Sequence, residues 1–346
     1  MTARIEWDRY QRMAKSSQAK AWLIMVANLQ LAQNTIEAYG RGVEDFFSFC
    51  HRQGIEAETA TKGNIAEWIN DLATRPNSRS AGRVVTGSQA GLSGATIQLK
   101  ITAVRLFFDY LVEEGLRPTN PVGRGQYSPG KRGGINSKRG IYNAPKKLPW
   151  IPNDDQWLLL LRTINDEPLR NKLMFALAYD GALRREELCC LEVDDLDPIR
   201  RTLQVRAEVS KTKRSRIVIY SRNSASLLSS YVATRPTPRE NTRRIFLSES
   251  RRNHGSPISS WTWTKAVEAV AARSKIVRLT THTLRHLRLT DLARDGHDLK
   301  DIAEFAGHQS LTTTRIYIHL SGREWTDKFQ EAMDSIHVWR KIKLKG

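Results

Sequence analysis

Arg184, Lys211, His282, Arg285 and His308 precede Tyr317 in the second half of a 346-residue chain. Together these groups could break a phosphodiester bond with a protein hydroxyl. Phosphoryl transfer is accelerated by positioning and by stabilising charge on the non-bridging oxygens. Arginine suits that task, because its planar fork grips two phosphate oxygens and stays charged. Arg184 and Arg285 are the pair to place there. A tyrosine has a reference pKa of about 10, so as a nucleophile it needs a nearby base and a cationic pocket. Tyr317 is the candidate.

The local contexts sharpen these roles. Arg184 lies in Gly181-Ala182-Leu183-Arg184-Arg185-Glu186-Glu187-Leu188, which reads as a helix with Glu187 one turn on, placed to fix the guanidinium. His282 and Arg285 lie in His282-Thr283-Leu284-Arg285-His286, at a helix start capped by Thr280 or Thr281. A helix N-terminus there would favour a phosphate. His308 follows Gly307, which permits close backbone approach or a sharp helix start. Lys211 sits in the basic segment Ser210-Lys211-Thr212-Lys213-Arg214-Ser215, between two runs of alternating apolar residues. This reads as a β-hairpin tip that could protonate a departing 5′ oxygen, with Lys213 able to substitute. A metal held by His282 and His286 lacks a carboxylate between them and a cysteine pair nearby, so no metal is expected. Singly each motif is weak, since one Gly-His or one tyrosine is usually structural. In combination they are strong.

The charge balance points the same way. Lys plus Arg is 55 and Asp plus Glu is 36, a net charge of +19. Such a surplus repels itself unless a polyanion is the partner, and nucleic acid fits better than a membrane surface, for which no anchor motif is present. The segment Met1-Thr2-Ala3-Arg4-Ile5-Glu6-Trp7 lacks a signal-peptide pattern, and the apolar stretch Ala21 to Ala27 is far below the roughly 20 residues of a membrane span. Three cysteines, two of them adjacent, form no disulfide framework. A cytoplasmic, nucleoid-associated bacterial protein is expected.

The chain reads as two domains. Residues 12–122 are helical: Val43, Phe46, Phe47 and Cys50 follow a helical period, and so do Ile97, Ile101, Val104, Leu106, Phe107, Tyr110 and Leu111. Arg75 to Ser93 is a polar, Gly- and Ser-rich surface loop. Residues 123–147 form a basic linker carrying Arg124, Lys131, Arg132, Lys138, Arg139, Lys146 and Lys147 with no acid. It is either a solvated tether or a strap along DNA phosphates, and the absence of acids favours the strap. Residues 148–322 read as helices around a short sheet, with Leu203, Val205, Ala207 and Val209 alternating on one strand and Ile217 and Ile219 on the next. In the tail, 323–346, Trp325, Phe329, Met333, Ile336 and Trp339 recur at helical spacing. That helix packs on its own domain or docks into a neighbouring protomer.

At these residues the chain closely resembles the tyrosine recombinase (phage integrase) family, and Leu99 to Leu111 with Asn120-Pro121 resembles the family's helical core-binding domain. The resemblance implies a mainly α fold with a small β-sheet (α+β), the two domains forming a C-shaped clamp on double-stranded DNA. It implies attack by Tyr317 to give a 3′-phosphotyrosine. Arg184, Arg285 and His308 would stabilise the transition state, His282 would accept or relay the tyrosine proton, and Lys211 would protonate the leaving oxygen. No metal or ATP is implied. The family acts as a homotetramer through a Holliday junction, in some cases with an accessory recombinase or directionality factor. The long basic linker and the Arg75 to Ser93 stretch favour a mobile-element integrase or transposon recombinase over a chromosome-dimer resolvase. A type IB topoisomerase and a non-catalytic DNA-binding regulator are the rivals.

Overall fold

The computed structural model describes residues 5–76, 91–123, 142, 148–239 and 241–322, with 333, 334 and 336. The chain divides into two compact units, 1–146 and 147–346. Lys131, Arg132, Lys138, Arg139, Lys146 and Lys147 of the expected basic strap lie outside the described residues, as does most of the tail.

The first unit is helical: α1 (Ser17–Asn28), α2 (Gln33–Arg52), α3 (Lys62–Thr74) and α4 (Gly94–Glu113). Three of these starts are capped by hydroxyls that accept from backbone amides: Ser16 for α1, Thr61 for α3 and Ser93 for α4. The 3.6-residue apolar period of α2 and α4 brings Phe46, Phe47, Phe107 and Phe108 together with Trp22 and Trp68. Phe46 makes edge contacts to Phe47, Trp68 and Phe108 at centroid separations of 5.1 to 6.4 Å. Most of the expected apolar positions are buried, but Leu106 is turned to solvent. At the rim, Asp45 takes charge-assisted bonds from Lys100 and Arg75 and from the Trp68 indole.

The second unit wraps helices around a three-stranded antiparallel sheet. In order these are α5 (Asp154–Asn165), α6 (Leu169–Asp180), α7 (Arg185–Cys189), β1 (Leu196–Asp197), β2 (Thr202–Val205), β3 (Arg216–Ile219), α8 (Arg222–Thr234), α9 (Ser260–Arg273), α10 (Thr283–Arg294), α11 (Leu299–Ala306) and α12 (Leu311–Ser321). The core joins α5, α6, the sheet, α8 and α9, with Phe175 packed edge-on against Trp263 at 4.6 Å. A smaller cluster under α10, α11 and α12 includes Tyr317.

Two expectations about the sheet are corrected. Strand β2 ends at Val205, and Ala207 and Val209 belong to a turn closed by Ser210 N–H onto Arg206 and Ala207 carbonyls. Strand β3 has the opposite phase to the one its isoleucines suggest. Gln204 pairs with Ile217 and Val205 with Arg216, so Val218 and Arg216 point inward while Ile217 and Ile219 point out. A period of two fits either phase; an ion pair of Arg216 inside the unit selects this one.

Phe46→Ala removes a fully buried ring with three aromatic neighbours. It should cost the first unit about 3–5 kcal/mol, read as faster hydrogen exchange throughout α2 and α4, with β3 and α7 of the second unit unaffected.

Candidate active site

Helix α11 ends at Ala306, and its last carbonyls cannot be satisfied within the helix. Three arginines from distant parts of the chain take them. Arg216 Nε donates to Phe305 O at 2.9 Å, an Arg285 terminal nitrogen to Ala306 O at 2.7 Å, and an Arg184 terminal nitrogen to Gly307 O at 3.2 Å. The negative end of the helix dipole adds to the attraction. Gly307 closes the helix with φ +64, and a Cβ there would stand 3.1 Å from Arg216 Cδ, so both backbone and space demand glycine.

Glu187 is the carboxylate that offsets this charge. It is fully buried and takes both terminal nitrogens of Arg216 at 3.0 and 2.7 Å, one from Arg184 at 2.7 Å, and the Arg184 backbone N–H at 2.9 Å. Burial works against its ionisation, yet the bonds and charge of Arg216, then those of Arg184, hold its pKa down at about 2. The expected pairing of Glu187 with Arg184 is present, but Arg184 is not on a helix. It precedes α7 in extended conformation (φ −72, ψ 156), because Glu187 caps its amide from the third helical position. Arg216 was not singled out from sequence. Its position two residues inward-phase of Val218 is the only local signal, and that signal depends on the strand register.

Arg285 is anchored at its other end by Ala182 O at 2.5 Å, and Ala182 itself holds a left-handed φ of +46 to present that carbonyl. Burial, then the Arg184 charge, lowers the Arg285 pKa to about 9, so it stays charged at neutral pH. Three guanidiniums less one carboxylate leave a local charge of +2.

His308 follows the α11 terminus. A guanidinium can only donate, so His308 Nε2, 2.9 Å from Arg285, accepts. The ring proton is therefore on Nδ1 and donates to Thr314 Oγ1 at 2.8 Å. Burial, followed by Arg285 and Arg184, lowers its pKa to about 4, which agrees with a neutral ring. Thr314 and Tyr317 are three apart on α12, so one helix face both orients His308 and presents the phenol. The two rings lie stacked, 8° apart in plane with centroids at 6.1 Å.

Tyr317 is buried, with 3% of its surface exposed, and its hydroxyl lies 3.0 Å from His286 Nδ1. Burial raises the phenol pKa, against the opposing charges of Arg285 and Arg184. His282 is placed differently from expectation. It is itself the residue preceding α10, with no side-chain cap, while Thr283 Oγ1 accepts from Thr280 N–H. The residue is solvent-accessible, its ring 6.4 Å between centroids from His286, and burial, then the Arg285 charge, lowers its pKa. Lys211 and Lys213 are exposed on the β2–β3 loop, Lys213 with φ +51. Gln309 ties that loop to the His308 segment through Thr212 O at 3.3 Å. Among the described residues no group of three or more His, Cys, Asp or Glu could hold a metal ion, and no helix is long and apolar enough to cross a membrane.

Residues 153–324 match the phage integrase family, and residues 20–115 match the phage integrase N-terminal SAM-like domain. The chain belongs to the phage integrase family. It is a tyrosine recombinase, an enzyme that breaks and rejoins DNA strands in site-specific recombination. Relatives include tyrosine recombinase XerD of Listeria monocytogenes, 27% identical with 89% of this chain and 95% of that protein covered, and tyrosine recombinase XerC of Thermodesulfovibrio yellowstonii, 29% identical with 84% and 86% covered. The fold is similar to that of the XerH site-specific recombinase bound to its difH substrate, with a TM-score of 0.65 at 18% identity over 96% of this chain and 90% of that one. It is also similar to the Tn1549 transposon integrase in complex with circular intermediate DNA, with a TM-score of 0.61 at 16% identity over 89% and 94%.

Because the Glu187 pKa falls from 4.5 to about 2 on folding, its ionisation stabilises the native state above pH 4.5, and this is lost as pH drops toward 2. Glu187→Gln should cost roughly 3 kcal/mol at pH 7 from this linkage. In denaturant unfolding at pH 7 and pH 3, the gap between wild type and variant should narrow at the lower pH; an unchanged gap would contradict the assignment.

Proposed function

We propose that the enzyme cuts one DNA strand by attack of Tyr317 Oη on the scissile phosphate, giving a 3′-phosphotyrosine and a free 5′-hydroxyl. The observation that carries this reading is the packing of Tyr317 against His308, itself bonded to Arg285, beside a cluster with a local charge of +2. Arg184 and Arg285 bind the non-bridging oxygens, and His308 assists them as a donor. A phosphate brought against these groups adds negative charge, which raises the imidazole pKa values and makes that donation accessible. His282 accepts or relays the tyrosine proton. Lys211, on a loop tied to the His308 segment, protonates the leaving 5′ oxygen. The ester conserves the bond energy, so rejoining needs neither ATP nor a metal.

In this reading residues 12–122 and 148–322 grip duplex DNA, and the basic segment 123–147, with Lys213, tracks phosphates. Exchange proceeds by Holliday junction in a homotetramer. The substrate is the insertion site of a mobile element, cut for integration or excision; the acid-free linker and the long polar stretch after Arg75 support this over a chromosomal role. A directionality factor or second recombinase completes some such systems. A type IB topoisomerase fits less well because of the helical first domain and the tail, and a non-catalytic regulator because all six signature residues are present.

Covalent capture on DNA from the flanks of its own gene tests the mechanism. Wild type should leave denaturation-resistant adducts at a recurrent site, and Tyr317→Phe none; equal adducts in both would place the nucleophile elsewhere. Lys211→Ala should slow cleavage by ~100-fold or more and recover on a substrate whose bridging 5′ oxygen is replaced by sulfur. Replacing Lys131, Arg132, Lys138 and Arg139 with Gln should flatten the dependence of binding on log salt by about one unit per lost phosphate contact.

A further inference from the structure

His286 has no place in the roles assigned above, yet it is the residue against the phenol. Its Nδ1 lies 3.0 Å from Tyr317 Oη, and the two rings are 5.8 Å apart between centroids. A buried phenol O–H requires an acceptor. We infer that His286 accepts the Tyr317 hydroxyl hydrogen bond through Nδ1 and is the first acceptor of its proton when the tyrosine attacks phosphate. This rests on Tyr317 being the nucleophile.

The geometry favours His286 over His282. Both lie at the start of the same helix four residues apart, but their positions differ: His282 precedes the first turn and is exposed, whereas His286 is inside α10 on the face packed against α12. The backbone bond from His286 N–H to His282 O, at 3.0 Å, fixes that offset. The titratable and charged groups around His286 are His282 and Arg285 on α10, His308 from the loop beyond α11, and Tyr317 on α12. Burial, then the charges of His282 and Arg285, lowers its pKa to about 4, so its lone pair is free at neutral pH. Proton transfer from the resting phenol would be uphill. It becomes favourable only as the Oη–phosphorus bond forms and the phosphate charge raises the imidazolium pKa, which couples deprotonation to attack.

The step balances. Oη loses its proton to His286 Nδ1 and bonds to phosphorus, the bond from phosphorus to the 5′ oxygen breaks, and that oxygen takes its proton from Lys211. His282, 6.4 Å away between ring centroids, is the next station toward solvent. On religation the imidazolium returns its proton to the departing phenolate.

The test uses the full-length protein and DNA carrying the site found by adduct sequencing. Asparagine places an oxygen near the Nδ1 position, so it keeps the acceptor but cannot take a proton. His286→Asn should bind DNA as wild type does and form adducts ~100-fold more slowly at pH 7. Its rate should climb about tenfold per pH unit toward the wild-type rate, because hydroxide must then take the proton. The defect should persist on the 5′-bridging sulfur substrate that relieves loss of Lys211. His286→Ala, with a ring-sized space, should recover in added imidazole, a readout that does not depend on the fold of the Asn variant. A His286→Asn enzyme cleaving at the wild-type rate, or a slow one whose pH profile parallels wild type and whose Ala counterpart ignores imidazole, would overturn the inference. Equal adducts in wild type and Tyr317→Phe would instead overturn the reading of Tyr317, and this inference with it.

Discussion

The carboxyl end of α11 is the point on which the site depends. Phe305, Ala306 and Gly307 present three successive carbonyls, and each is taken by a guanidinium from a different element: the residue before α7, strand β3 and helix α10. A helix terminus supplies unsatisfied acceptors and negative potential at once, without adding a net charge. That lets three arginines gather with only one carboxylate, Glu187, and so leaves a surplus of positive charge for a phosphate. A second carboxylate would have held the arginines as well but halved the surplus charge, from +2 to +1, and weakened the attraction for an anion.

The same crowding sets the protonation of the groups nearby. Surrounded by guanidiniums and largely buried, His286 and His308 are neutral, and their lone pairs point at Tyr317 and Arg285. The phenol is kept protonated by burial. Nothing in this arrangement generates a free phenolate in advance of substrate. In the proposed mechanism activation comes with the phosphate, whose charge shifts the imidazoles toward protonation while its phosphorus makes the phenol acidic.

Much of the site was legible along the chain. Arg184, Arg285, His308 and Tyr317 were named from their residue types and contexts, and the structure brings them together. The helices of the first unit were legible because Phe46, Phe47, Phe107 and Phe108 keep a helical period that one buried face enforces. Arg216 was missed because an apolar alternation of period two is satisfied by either face of a four-residue strand, and the isoleucines suggested the wrong one. His286 has no role in the sequence reading because the resemblance assigns the tyrosine proton to His282; only the position of α10 relative to α12 puts His286 against the phenol.

By itself the sequence determined the inventory of chemistry, the charge of +19 that calls for a polyanion, and the helices whose apolar periods are local properties of the chain. The tertiary structure alone decided which groups meet. Arg184 and Gly307 are 123 residues apart and Arg285 and Ala182 103, and no local propensity specifies such contacts. They are set by where α7, β3, α10 and α11 come to rest around one helix terminus, because unsatisfied carbonyls and a buried carboxylate must find donors wherever in the chain those donors lie.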